Sequence, residues 1–190
     1  MMDRSTRRAV LRQPRAATGG ITPFEHQLSL KKGATQGVSL MAQSLAKVLV
    51  HLIFSTKSRR PFITEDVRQE LCAYLAGVLR NHQSPALATN AVDDHIHVLF
   101  TLSRNYAIKT LVEKVKTSSS KWLKSKGPRF RTFAWQNGYG AFSVSQSAVA
   151  SARRYIVHQT EHHRRLTFQE EFRRFLERYE VAYDDRYVWD

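Results

Sequence analysis

The runs VLVHLIF (residues 48–54) and HIHVLFTL (residues 95–102) constrain the fold most. Each is short, apolar, rich in β-branched and aromatic residues, and free of Gly and Pro, which predicts a buried strand. Between them, Thr64 precedes Glu65 and Asp66, and Val67, Leu71, Tyr74, Leu75 and Val78 follow at spacings of three and four. That pattern predicts a capped amphipathic helix to about Asn81. After Pro85, ALATNAV reads as a strand that the DD pair joins to HIHVLFTL in an antiparallel hairpin. A second helix carries Ile108, Leu111, Val112, Val115, Trp122 and Leu123 on its apolar side until Gly127 and Pro128 stop it. FAWQNGYGAFSVSQS then suits a strand entered through a turn, a third helix is expected from about Gln146 to His163, and FQEEFRRFLERYE continues as helix before an aromatic tail. The order β, α, β, β, α, β, α predicts an α+β, ferredoxin-like (split βαβ) antiparallel sheet with helices on one face.

Residues 1–40 differ from this pattern. They hold seven basic and two acidic residues without sustained periodicity, and read as a disordered basic arm or a spurious extension ahead of Met41. Residues 41–190 read as one domain, with a C-terminal helical tail over about 165–190. They retain 23 basic against 14 acidic residues, so the domain is basic in its own right, and the whole chain carries +14. Such a charge favours a polyanionic partner, nucleic acid first. No run approaches the roughly 18 apolar residues of a spanning helix, and none has the make-up of a secretion signal, so a cytoplasmic protein with no membrane partner is expected. The single cysteine, Cys72, has no internal disulfide partner and sits in an apolar helical pattern, as a core residue would.

Alternate residues of a strand share a face, so His95 and His97 can hold one ligand. A strand that merely contains histidines reads the same way. In the third helix Tyr155 and Gln159 are four apart and stack on one side, with His162 and His163 a turn further on. A tyrosine hydroxyl has a pKa near 10, so its attack on a phosphodiester needs the phosphate's charge neutralised, as a metal does. Two imidazoles and one amide oxygen make a three-ligand site with open positions for phosphate oxygens. Attack would leave a phosphotyrosine and a free 3′ hydroxyl, conserve the bond energy, and allow rejoining without ATP, in keeping with the lack of a GxxxxGK loop.

Smaller signals stay open. His51 can face the same side as His95, as a ligand or as an ordinary strand histidine. Asp94 suits either a turn or a hydrogen bond that orients a histidine from outside the ligand set. Trp135, Tyr139 and Phe142 are candidates for base stacking or for the core. Lys114 and Lys121 belong to a solvated face or a phosphate-tracking one, and Arg153, Arg154, Arg164 and Arg165 flank the tyrosine where phosphate contacts fit. His162 and His163 read as a basic continuation of the helix. No further acid or cysteine stands at a convincing ligand spacing, which places a zinc hydrolase last.

Taken in order, HLIFSTKSRRPF, DDHIHVLF, KTSSSKWL, WQNGYGAFSVS, YIVHQTEHH and TFQEEF resemble the single-tyrosine HUH transposases of minimal insertion sequences, including relatives associated with repetitive extragenic palindromes. The resemblance covers about residues 44–190. It implies an HUH-type fold and a transposase that cleaves and rejoins single-stranded DNA, with Tyr155 as nucleophile and His95, His97 and Gln159 as ligands of Mg²⁺ or Mn²⁺. It also implies a hairpin substrate and a homodimer, with a monomer as the variant in the palindrome-associated relatives. A non-catalytic hairpin-binding regulator and a related HUH nickase are the competing readings.

Overall fold

In the computed structural model, residues 45–163, 166–186, 188 and 189 are described, without the His162 side chain. The expectations for residues 1–40, Arg164 and Arg165 lie outside these residues. The elements are β1 (Val48–Ser55), α1 (Glu65–Asn81), β2 (Ala86–Ala91), β3 (His95–Leu102), α2 (Ile108–Ser125), β4 (Gly140–Ser143), α3 (Val149–Val157), α4 (Gln159–His162) and α5 (Phe168–Arg178). The sheet is wholly antiparallel in the order β2-β3-β1-β4, the arrangement of a split βαβ fold.

Strand alternation divides β1 and β3 cleanly. Val50, Leu52, Phe54, Ile96, Val98 and Phe100 enter one core, where Val67, Leu71, Leu75 and Leu79 of α1 and Leu111, Val112, Val115 and Leu123 of α2 cover them. Burying the four α1 side chains is worth at most about 6–12 kcal/mol, since an unfolded chain already hides part of their surface. The opposite face presents His51, Ile53, His95 and His97, with Ile53 paired to His97 and Ser55 to His95 across the strands. Helices on one face therefore describes α1 and α2; α5 packs on the other. There Phe168, Phe172 and Leu176 join Ile53 and Phe142 in a second cluster, with Trp189 against it.

Gly140 makes that docking possible. A Cβ on it would lie 2.6 Å from the Phe172 ring, so the strand can approach α5 only with hydrogen at this position. At its start, α5 is fixed by a capping box in which Thr167 accepts from the Glu170 N–H and Glu170 accepts from the Thr167 N–H. Thr64 does not cap α1 in this way; its hydroxyl donates to Asp66 at 2.5 Å.

The expected continuous helix from Gln146 to His163 is broken. A short 3₁₀ turn over Gln146–Ala148 leads into α3, and His158, at φ −93° and ψ 17°, separates α3 from α4. Asn90 of β2 donates from Nδ2 to the carbonyls of Ile156 and Val157 at 2.9 and 3.0 Å, taking acceptors that a continuing helix would use. Trp135 and Phe142 are core residues, with the Trp135 indole donating to Ser119 Oγ, whereas Tyr139 is exposed. Cys72 packs against the larger core, where burial pushes its thiol up to about 11. Among the described residues no helix is long and apolar enough to cross a membrane.

Candidate active site

His95 and His97 project from β3 toward α5 and meet two groups that the sequence did not single out as ligands. His95, His97, His163 and Glu171 each offer one donor atom, and these atoms all lie within 4.8 Å of one another. Oε2 of Glu171 is 3.0 Å from His163 Nε2, 3.3 Å from His97 Nε2 and 3.6 Å from His95 Nε2. Donors around one ion at bond lengths of about 2.1 Å are themselves roughly 3.0–3.4 Å apart, so this spacing fits a metal shell.

The outer nitrogens make the same point. His95 Nδ1 is 2.6 Å from Asp94 Oδ1, His97 Nδ1 is 3.0 Å from His51 Nε2, and His163 Nδ1 is 3.0 Å from the Leu166 carbonyl. All three rings thus anchor Nδ1 outward and turn Nε2 inward, as metal-binding imidazoles do when an outer partner fixes their tautomer. Of the two readings left open for Asp94, the geometry matches the one in which its carboxylate orients His95. His51 is neither a ligand nor a bystander: it anchors His97. Asp93 accepts from Arg68 at 2.6 Å and serves the turn instead.

Tyr155 also reaches this centre within the same chain. Its hydroxyl donates to Glu171 Oε1, and Gln159 Nε2 donates to the same oxygen at 3.0 Å. Gln159 is fully buried and approaches the cluster through Glu171; its own Oε1, like Glu171 Oε2 and His97 Nε2, is a buried atom without a hydrogen-bond partner. Buried polar atoms normally find partners, and the facing orphans Glu171 Oε2 and His97 Nε2, 3.3 Å apart, suit a site built for a cation.

Electrostatics follow from the packing. Burial favours a neutral Glu171, but the three imidazoles that face its Oε2 at 3.0–3.6 Å together outweigh it and hold the carboxyl far below its usual range. Burial lowers His97 to about 4 and His51 to about 3, so both are neutral near pH 7. For His95 burial also favours the neutral form, yet the Asp94 and Glu171 carboxylates overcome it and raise the pKa. Burial and then the Glu171 charge push the Tyr155 hydroxyl up, so the proton stays on the phenol in this state.

The transposase model that describes IS200-like sequences matches residues 44–159, well over half of the chain. The chain belongs to the IS200-like transposase family. A crystal structure of a candidate transposase from Deinococcus radiodurans R1 is 24% identical, with a TM-score of 0.49, over 68% of this chain and 98% of that one. A REP-associated tyrosine transposase bound to a REP hairpin is 16% identical, also at 0.49, over 77% of this chain and 92% of that one. No curated protein matches.

Two of the four clustered residues of this IS200-like transposase, His163 and Glu171, lie beyond the matched segment. Glu171, which no spacing in the sequence pointed to, stands among residues that could hold a metal ion, and His163, read as a basic continuation of the helix, lies 2.9 Å from His95. A signal for Glu171 was present: it is the one acid in the apolar stripe Phe168, Phe172, Phe175, Leu176 of α5. Arg153 and Arg154 are exposed on the tyrosine helix, while Lys114 and Lys121 are exposed on α2, across the sheet from the cluster. Beside the centre, a cleft of about 830 Å³ opens onto Tyr155, His163 and Glu171.

Proposed function

We propose that the protein is a DNA transposase that cleaves single-stranded DNA with Tyr155 and rejoins it through a 5′-phosphotyrosine intermediate. The observation that carries this reading is the contact of the Tyr155 hydroxyl with Glu171, whose other oxygen faces the three inward Nε2 atoms. His95, His97, His163 and Glu171 would hold a divalent ion, with Gln159 positioning the carboxylate. Mg²⁺ and Mn²⁺ are the candidates, in keeping with the family resemblance. When bound, the ion supplies positive charge that polarises the scissile phosphate and offsets charge developing on it.

The chain's own residues supply the nucleophile and its aim. Glu171 orients the Tyr155 oxygen, and the phenolic proton leaves to solvent only as the new P–O bond forms, because the unliganded site keeps it in place. The bond from phosphorus to Tyr155 Oη forms, the bond to the 3′ oxygen breaks, and that oxygen takes up a proton. Rejoining runs the same exchange backwards from a 3′ hydroxyl. The contact of Tyr155 with the cluster of its own chain supports cleavage in cis by a single chain. The substrate is DNA with a hairpin and an adjacent unpaired segment, in keeping with the family resemblance and with a basic domain. Incubation with hairpin-bearing single-stranded DNA and Mn²⁺ is expected to give a denaturant-resistant protein–DNA adduct that Tyr155→Phe abolishes; an undiminished adduct in that variant would refute the assignment.

A further inference from the structure

Helix α5 carries three arginines with different fates. Arg173 is engaged in the fold, pairing with Asp185 at 2.9 Å and lying over the Trp189 ring at 5.1 Å. Arg174 and Arg178 are exposed, form no ion pair with a described residue, and both line the cleft that opens onto Tyr155. Being four apart, they rise from one side of the helix with Cβ atoms roughly 5–6 Å apart. The cleft's acids are Glu161 and Glu171, and Glu171 is turned into the histidine cluster. Phe175 and Tyr179, the aromatic residues between and beyond the arginines, line the same wall, with Tyr179 fixed by its hydroxyl to the Ser143 carbonyl at 2.9 Å.

We infer that this cleft is the seat of the unpaired strand, in which Arg174 and Arg178 bind backbone phosphate and Phe175 and Tyr179 support the base of the adjoining nucleotide. This assignment rests on the single-strand cleavage proposed above and names its positioning residues. Two unpaired guanidiniums suit phosphate oxygens through charge-assisted, bidentate hydrogen bonds. Aromatic surface beside them accepts any unpaired base by stacking. A duplex stem cannot present a base to such a wall, so the cleft distinguishes the flank from the hairpin.

The test uses the full chain, a fluorescent hairpin with a single-stranded flank, and the same hairpin without the flank. Arg174→Gln and Arg178→Gln are each expected to weaken binding of the flanked probe roughly fivefold and to lower the salt slope by about 0.7, the value for one single-strand phosphate contact. Binding of the flank-free hairpin should not change. Adduct formation should slow at low DNA concentration and recover at saturating DNA, a KM effect without a kcat effect. Arg174→Lys and Arg178→Lys should restore the salt slope, as charge is kept, with affinity between the two. Equal losses on both probes, or an unaltered salt slope with the flanked one, would overturn the assignment. Failure of the underlying reading shows separately, as absence of an adduct in the wild-type protein, and the binding comparison still decides the role of the arginines.

Discussion

Glu171→Gln removes one negative charge from the centre while keeping the side chain's volume. In the wild-type protein the carboxylate sits 4% exposed, with one oxygen 3.0–3.6 Å from three imidazole nitrogens and the other accepting from Tyr155 and Gln159. The glutamine can still accept from Tyr155, so the loss falls mainly on cation binding. Loss of outer partners costs metal sites roughly 10–100-fold in affinity, and loss of a direct carboxylate ligand is expected to cost at least about 100-fold. An ion at 100 times its Kd stabilises the folded state by about 2.7 kcal/mol, and a 100-fold weaker site leaves about 0.4 kcal/mol. For a domain of this size 1 kcal/mol moves Tm by about 2–4 °C, so Mn²⁺ should raise Tm by roughly 5–11 °C in the wild type and by about 1–2 °C in the variant. Melting curves followed by circular dichroism in EDTA and in Mn²⁺ measure both shifts. A variant that keeps the full metal-dependent shift would show that Glu171 is not a ligand.

Other outcomes follow from particular contacts. Gly140→Ala forces a methyl against the Phe172 ring and should destabilise the domain by about 1–3 kcal/mol in urea titrations, with a smaller Mn²⁺ effect because α5 carries Glu171. His51→Phe removes the anchor of His97 Nδ1 and should weaken metal binding roughly 10–100-fold by calorimetry while leaving the far core intact. Lys116 donates to the carbonyls of Gln136, Asn137 and Gly138, and burial lowers its pKa to about 8. Between about pH 8 and 10.5 the unfolded chain therefore binds more protons than the folded one, and stability from this group rises with pH across that window. Urea midpoints in EDTA from pH 7.5 to 10 should climb more in the wild type than in Lys116→Met; identical slopes would contradict this.

The strand and helix order was legible because each element carries its own signature: short continuous apolar, β-branched runs in β1 and β3, and three- and four-residue spacing in α1. The shared side of His95 and His97 was legible because a strand fixes which neighbours share a face, and the structure brings Tyr155 beside them through Glu171. Glu171 and His163 were not legible, because their approach to the His pair depends on α5 folding back across the sheet, a tertiary event in which Gly140 lets the Phe172 ring come close. The break at His158 was hidden for a similar reason: the competing donor, Asn90, comes from a strand 66 residues earlier. Gln159 was singled out as a metal ligand by its four-residue offset from Tyr155, yet the contact its amide makes is to Glu171, twelve residues on in another helix.

Helix α5 is fastened to the sheet by rings and side-chain hydrogen bonds such as Tyr179 to Ser143, whereas β1 and β3 are joined by a full backbone ladder. A bound cation would therefore span a seam between a strongly and a weakly cooperative part of the molecule, with His95 and His97 on the former and Glu171 on the latter. Local opening of α5 and escape of the ion then become one event. The rate at which a chelator strips the protein should saturate with chelator concentration, at the opening rate that amide exchange in α5 reports.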